Sequence, residues 1–447
     1  MYTKLASKLL FPMHEYLKKH ASVSIKKDLD SSQYIPREKL FELQERKLRL
    51  LIEWANQNSS YYSSVINKER LQIILDAPLD NLQLLPTLTK TLIREHFKNI
   101  IAGDEGEMTL MSTGGSTGQP LKFYLDKERI SHDIAAKWRA TNWWGVEIGD
   151  PEIVVWGSPI EVQTQGIVKN TRDRLFRTKL LSAFDLSRKS LMEYVSIIKN
   201  FKPKMIFGYP SAIYEITRFA NKIDLDLSSI GVEVVFTTAE VLYEDQRKVI
   251  SETFNCEVAN GYGSREGGFV AHECPKHQMH ITSEDIIIEI IDDDGNVCEY
   301  GEQGEIVVTH LHSKSFPFIR YRTGDYGVLQ DNLCGCGRTS LILSSILGRT
   351  TDFIVLQDGT RIHALAFIYV IRELSGIHNY KIIQDSINTL CVYIVVNEHA
   401  NESELTREIS DSFEKIVSGK LSVKVKYLKE IEKDKSGKHR YVVNAIS

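Results

Sequence analysis

The sequence predicts an α/β fold: a large N-terminal domain of layered strands and helices with a β-rich subdomain, then a small C-terminal α+β domain. Three observations carry that expectation. Short, continuously apolar runs recur in 152-EIVVWG-157, 205-MIFGYP-210 and 232-VEVVFTTAE-240, each leading into a helical pattern. Strands apolar throughout are buried on both faces, and ligands of such layered folds sit beyond the strand C-termini. Between about 280 and 345 the pattern turns to strand after strand, and beyond Gly348 about 100 residues carry strands and a helix of their own.

Taken in order, residues 1–100 read as helices expected to pack on the large domain. In 38-EKLFELQERKLRLLIEWANQ-57 the Leu and Ile residues recur at three- and four-residue spacing, one face of a helix. The remainder of the large domain is expected over 101–348. Its β-rich part includes 286-IIIEIIDDDGNV-297, where Asp294-Gly295 marks a hairpin turn, then 304-GEIVVTHL-311 and 318-FIRYRTGDYGVL-329. The small domain, 349–447, takes its strand signal from 389-TLCVYIVV-396 and its helix from 403-SELTREISDSFEKIV-417.

A chain of 447 residues is too long for one core. With 42% hydrophobic and 26% charged residues it is ordinary for a globular protein. The net charge of -4, with acids and bases well mixed, argues against nucleic acid as the main partner. The opening MYTKLASKLLFPMHEYLKKH is basic with a short apolar patch, and lacks the long apolar core of a secretory signal. No run approaches the roughly 20 apolar residues of a membrane span, so the cytoplasm is the expected compartment. Six cysteines in this length form no disulfide framework, and Cys256, Cys298 and Cys391 are expected as buried thiols.

The segment Ser112, Thr113, Gly114, Gly115, Ser116, Thr117, Gly118, Gln119 packs three glycines and four hydroxyl residues between the strand-like runs TLMST and LKFYL. Such a loop offers backbone N–H groups and hydroxyls without bulk, which suits a phosphate. Gln119-Pro120 follows Gly118 where a P-loop needs Lys-Ser/Thr, so that kinase and GTPase reading fails. By itself the loop reads equally as a flexible surface hairpin.

A second cluster has a metal's chemistry. The runs 273-ECPKHQMHI-281 and 333-LCGCGRT-339 supply Cys274, His277, His280, Cys334 and Cys336. A Cys-x-Cys knuckle with a distant Cys and His suits tetrahedral Zn²⁺. The expected set is Cys274, His280, Cys334 and Cys336, with His277 a rival for the histidine place and free thiols the plain alternative. Four protein ligands would make the site structural, because no position stays open for a substrate.

Further motifs follow the glycine loop in order: 260-NGYGSREGG-268, 321-YRTGD-325, 348-GRTTDFIVLQDGTRI-362 and 434-DKSGKHR-440. Together with the loop they resemble the signatures of the adenylate-forming superfamily of acyl-CoA synthetases, luciferases and peptide-synthetase adenylation domains. The loop departs at Gln119, where that family carries lysine, and 260–268 departs at Arg265, where it carries threonine. The stretches 205-MIFGYPSAI-213 and 237-TTAEVL-242 point to the phenylacetate-CoA ligase branch, including relatives from capsular-polysaccharide gene clusters.

The resemblance implies ATP and Mg²⁺ as cofactors, a carboxylic acid as substrate and coenzyme A as the expected acceptor. An amine or hydroxyl of a sugar or amino acid is the alternative. It implies a nucleotide site of Ser112–Gly118, Glu240, Gly261, Tyr262, Gly263, Asp325 and Arg349. Tyr262 would offer its face to adenine, Asp325 would accept from the ribose hydroxyls, and Glu266 would ligate magnesium. Lys438 would bridge the carboxylate and the α-phosphate as charge builds. The small domain would be mobile, turning about a hinge at Thr351 between half-reactions. Trp156 and Tyr209 would face an aromatic or compact acid. Two other classes stay open: a nucleotidyltransferase leaving AMP on its acceptor, and a non-catalytic binding protein with the cysteine cluster as its knuckle.

Overall fold

Side chains set where several helices begin. Ser59 Oγ accepts from the Tyr62 amide, Asn67 Oδ1 from Arg70, Thr89 Oγ1 from Leu92 and Asp126 Oδ1 from Arg129. Each cap satisfies a first-turn N–H that the helix itself leaves without a partner. The computed structural model describes residues 2–112, 121–157, 167–183, 185–349, 353–357, 361–363, 365–397, 400–417, 419–431 and 441–446. Two units result, Met1–Leu347 and Gly348–Ser447.

In the first unit, the helix Arg37–Asn58 buries Leu40, Gln44, Leu48, Leu51, Ile52 and Ala55, the stripe its spacing encodes. That stripe belongs to one core with Phe123, Phe318 and Tyr321, so the helical beginning of the chain packs directly beneath the later YRTGD segment. Strands β1 (Thr109–Ser112) and β2 (Lys122–Leu125) pair antiparallel with Ser112 opposite Lys122. The loop they close, Thr113 to Pro120, lies outside the described residues.

Among the described residues the main sheet has eleven strands. They are β3 (Glu152–Trp156), β4 (Thr178–Ser182), β5 (Met205–Gly208), β6 (Val234–Thr238), β7 (Glu257–Ser264), β8 (Gly268–Glu273), β9 (Met279–Ile281), β10 (Ile286–Ile291), β11 (Gln303–His310), β12 (Tyr321–Gln330) and β13 (Ile342–Arg349). Their order is β10-β11-β12-β13-β9-β8-β7-β6-β5-β3-β4. The half from β4 to β7 is parallel, and β7–β8, β8–β9, β9–β13, β10–β11 and β11–β12 are antiparallel.

Alternation along the parallel strands fills two layers. Ile153, Val155, Ile206, Val235 and Val258 pack with Ile198, Ile213 and Ile250 of the helices on one face. Met205, Phe207, Val234, Phe236 and Ala259 pack on the other face with Ala140 and Trp144. The register sets Gly208 beside Thr237 and Thr238 beside Gly261, so the motif residues share the C-terminal edge of these strands.

The second unit holds the hairpin β14 (Phe353–Val355) and β15 (Arg361–His363), and a four-stranded sheet. That sheet is formed by β16 (Ile377–Ser386), β17 (Thr389–Val396), β18 (Ser422–Tyr427) and β19 (Val442–Asn444), in the order β18-β17-β16-β19. The helices Leu365–Glu373 and Glu402–Val417 meet through Phe367 and Phe413, ring centroids 4.9 Å apart. Buried Gln384 donates to the Val355 carbonyl and accepts from its amide, tying hairpin to sheet. One expectation needs correcting: Cys391 is buried, but Cys256 and Cys298 are only half-buried, since Cys256 lies in the link from the helix Glu244–Phe254 to β7 and Cys298 in the loop from β10 to β11. Among the described residues no helix is long and apolar enough to cross a membrane.

Candidate active site and metal centre

The stretch carrying Gly261, Tyr262 and Gly263 is the second half of β7, and Glu266 follows in the turn to β8. Both glycines answer to packing. A Cβ on Gly261 would lie 2.8 Å from the Phe236 ring, and one on Gly263 would lie 2.4 Å from the Gly268 carbonyl oxygen. Tyr262 between them projects toward β12, where its hydroxyl donates to Asp325 Oδ2 at 2.9 Å. The turn that presents Asp325 is held in two ways. Gly324 adopts φ +78°, which favours glycine, and its amide donates to Glu305 Oε1 at 3.0 Å.

Glu266 is 6% exposed, and among the described residues its carboxylate has no ion pair. Tyr321 Oη lies 3.4 Å from its Oε1. The backbone is fixed from beneath by the fully buried Arg129, whose guanidinium donates to the Glu266 carbonyl at 3.1 Å and to Ser313 Oγ at 2.8 Å. A buried carboxylate without a cation is costly, so this position suits a bound metal ion. Arg265 reaches across to donate to the Ser112 carbonyl at 2.6 Å, which anchors the start of the glycine loop beside Glu266.

The structure therefore brings Ser112, Glu266, Tyr262 and Asp325 to one end of β7. Glu240 sits at the neighbouring strand end, after Ala239 at φ +69°, and its Oε2 accepts from the Ser211 amide at the start of the helix Pro210–Lys222. Tyr209 and Trp156 are neighbours, ring centroids 4.2 Å apart. Thr113, Gly114, Gly115, Ser116, Thr117, Gly118, Thr351 and Lys438, and the side chain of Arg349, lie outside the described residues. Sequence reasoning missed Arg129, Tyr321 and the tie from Arg265. Tyr321 opens the YRTGD motif and could have been found there, whereas nothing local marks Arg129. A separate depression of about 650 Å³, lined by Leu84, Asp294, Arg320 and Arg322 among others, includes none of Glu266, Tyr262 or Asp325.

The cysteine cluster assembles around β9. Cys274, His280, Cys334 and Cys336 place their ligand atoms within 4.8 Å of one another. Cys274 Sγ is 3.7 Å from Cys334 Sγ, and Cys336 Sγ is 3.3 Å from His280 Nε2. A tetrahedral zinc with Zn–S bonds of about 2.3 Å has S···S edges of about 3.8 Å, so the donor set fits that ion. His280 Nδ1 is 3.2 Å from Ser340 Oγ, which leaves Nε2 directed at the cluster. Backbone amides of Lys276 and Cys336 donate to Cys274 and Cys334 sulfur at 3.4 Å. His277 is not in the group, because its ring lies 3.3 Å from Glu273 and 3.4 Å from Glu257. Burial pushes the Cys274 thiol up to about 12, so it stays protonated unless a cation is supplied. Burial also acts to raise Cys336, but hydrogen bonds from Arg338 hold it below the ordinary thiol value.

The AMP-binding enzyme family matches residues 43–312, and the CapK C-terminal domain matches residues 354–445. The chain is 25% identical over 412 residues to Protein CapK of Staphylococcus aureus, covering 91% of this chain and 90% of that protein. It is 25% identical over 391 residues to a phenylacetate-coenzyme A ligase of Thermus thermophilus, covering 85% of this chain and 83% of that one. Among solved structures, 2-hydroxyisobutyryl-CoA ligase in its postadenylation state shares the fold at TM-score 0.75 and 18% identity, with 92% of this chain and 91% of that chain covered.

Proposed function

The chain belongs to the AMP-binding enzyme family, in the phenylacetate-CoA ligase branch with its CapK relatives, and from that premise we propose that it activates a carboxylic acid with ATP and passes the acyl group to a thiol. In the first step a carboxylate oxygen bonds to the α-phosphorus while the bond to pyrophosphate breaks. In the second, the acceptor sulfur attacks the acyl carbonyl and AMP departs. Coenzyme A is the acceptor, as in the names of the ligase relatives.

The observation that carries this reading is the meeting of Ser112, Glu266, Tyr262 and Asp325 at one strand end, through the Arg265–Ser112 and Tyr262–Asp325 hydrogen bonds. Tyr262 and Asp325 would hold the adenosine, with Gly261 and Gly263 keeping the strand low beneath it. Ser112 through Gly118 would cradle the phosphates, and Glu240 and Arg349 would border the nucleotide. Glu266 would hold magnesium, which neutralises phosphate charge when bound. Lys438 would neutralise charge building between carboxylate and α-phosphate. Cys274, His280, Cys334 and Cys336 would hold a structural zinc.

A second reading, transfer to an amine or hydroxyl of a sugar or amino acid in surface-polysaccharide synthesis, draws support from the CapK C-terminal match over 354–445. Exchange of labelled pyrophosphate into ATP, run over a panel of carboxylic acids, tests the step common to both. Exchange that depends on one class of acid is the expected result. Acid-independent exchange, or none with any acid, would overturn the proposal, and acceptors added after an acid is found separate the two readings.

A further inference from the structure

The first helical stretch has a face that the fold does not use. It runs from Tyr2 to Lys18, with a π-helical turn at Ala6–Leu10, for about 25 Å at the usual rise. One side is seated firmly. Ala6 and Phe11 are buried, Phe11 meets the rings of Trp138 and Phe176 edge-on, and Ala6 lies so close to Gly149 that a Cβ there would sit 2.3 Å from its own. Orientation about the helix axis is thereby fixed. The other side presents Leu5, Leu9, Met13, Tyr16 and Leu17 to solvent, with Leu9 57%, Met13 53%, Tyr16 81% and Leu17 74% exposed, while Tyr2 is held to the fold by its hydroxyl's bond to the Leu175 carbonyl. Scattered exposed leucines are normal, but a single row of five large apolar side chains marks an interaction surface.

Charge identifies the partner. Lys4, Lys8, Lys18 and Lys19 flank the row and are exposed. The one acid in this stretch, Glu15, is 2% exposed and turned inward to Ser22 and His20. The exposed charge here is therefore all positive, on a chain whose net charge is -4. A second copy meeting this face about a two-fold axis would set lysines against lysines. An anionic bilayer takes up both features at once, the apolar row entering the acyl boundary and the lysines resting among the headgroups.

We propose that this helix is an interfacial docking surface for a membrane rich in anionic lipid, holding the enzyme on the bilayer without crossing it. The test is co-sedimentation of the full chain with phosphatidylcholine vesicles, with and without phosphatidylglycerol. Binding is expected only with phosphatidylglycerol, and should weaken as salt is added. Leu9→Glu combined with Met13→Glu should abolish it, while Lys8→Gln and Lys18→Gln should each weaken it by about fivefold. Unchanged melting temperatures of the variants show that the fold survives. The proposal is overturned if the wild-type chain stays in the supernatant, or if the double variant binds as well as wild type. It is equally overturned if the chain ignores vesicles and runs as a dimer that the double variant splits, which would assign the face to a second copy. No substrate is present in the experiment, so its outcome is independent of acid activation.

Discussion

Tyr262 and Asp325 stand 63 residues apart in the chain and share one hydrogen bond of 2.9 Å. Motif spacing nominated each of them separately, but their direct contact is a product of strand packing that spacing does not encode. Removing the bond while keeping the ring is informative. Tyr262→Phe should raise the KM for ATP about fivefold with kcat nearly unchanged, the effect of losing one hydrogen bond of about 1 kcal/mol from uniform binding. Steady-state kinetics at saturating acid would check this, and an equal fall in kcat would show a role in the chemical step. Arg129 was invisible to sequence reading because its value comes from complete burial, and a lone arginine at a helix start reads as solvated.

Acid stability also belongs to single residues. Burial, with the Arg139 charge adding to it, lowers His272 from 6.5 to about 3. Its folded-state value lies below the unfolded one, so this stabilisation is complete above about 6.5 and is lost as pH falls toward about 3. The hydrogen bond from His312 takes Glu128 down from 4.5 to about 2, against the opposing effect of burial, and Lys314 adds to it. That contribution is present above 4.5 and lost as pH falls through about 2. Urea midpoints should therefore decline as pH drops below 6.5, and His272→Gln should flatten the upper part of that decline. A midpoint constant from pH 7 to 4 would contradict the His272 assignment, and one constant from pH 4 to 2 the Glu128 assignment.

At the level of elements, the parallel strands β3, β5 and β6 were legible because uninterrupted apolar runs between helices admit few other readings. Their neighbours were not. β13 enters the sheet between β9 and β12, a long-range pairing that leaves no trace in local composition. Metal chemistry fared better, since the Cys-x-Cys knuckle limits its own geometry, and the folded chain brings His280 rather than His277 to it. If zinc is held there, protein purified without chelator should carry one equivalent, and Cys334→Ser should lose it and melt at a lower temperature. Metal analysis with parallel thermal melts reads both, and a metal-free chain as stable as wild type would remove zinc from the account.

Over the whole molecule, order in the sequence anticipated order in space more for the proposed nucleotide site than for the acid. Gly261, Tyr262, Glu266 and Asp325 were named by motif, and the fold brings them to one end of β7, with Tyr262 bonded to Asp325. An acyl pocket demands only shape, which motif spacing does not encode, and the structure adds only that the Trp156 and Tyr209 rings meet, centroids 4.2 Å apart. The roles proposed for Lys438 and Thr351 concern passage between two half-reactions. All of them presuppose that an acid's oxygen attacks the innermost phosphorus. Supplying the acid found by exchange with ¹⁸O in its carboxylate and weighing the nucleotide formed tests that step directly. One labelled oxygen should appear in AMP, whereas unlabelled AMP, or ADP as the product, would contradict acyl-adenylate formation.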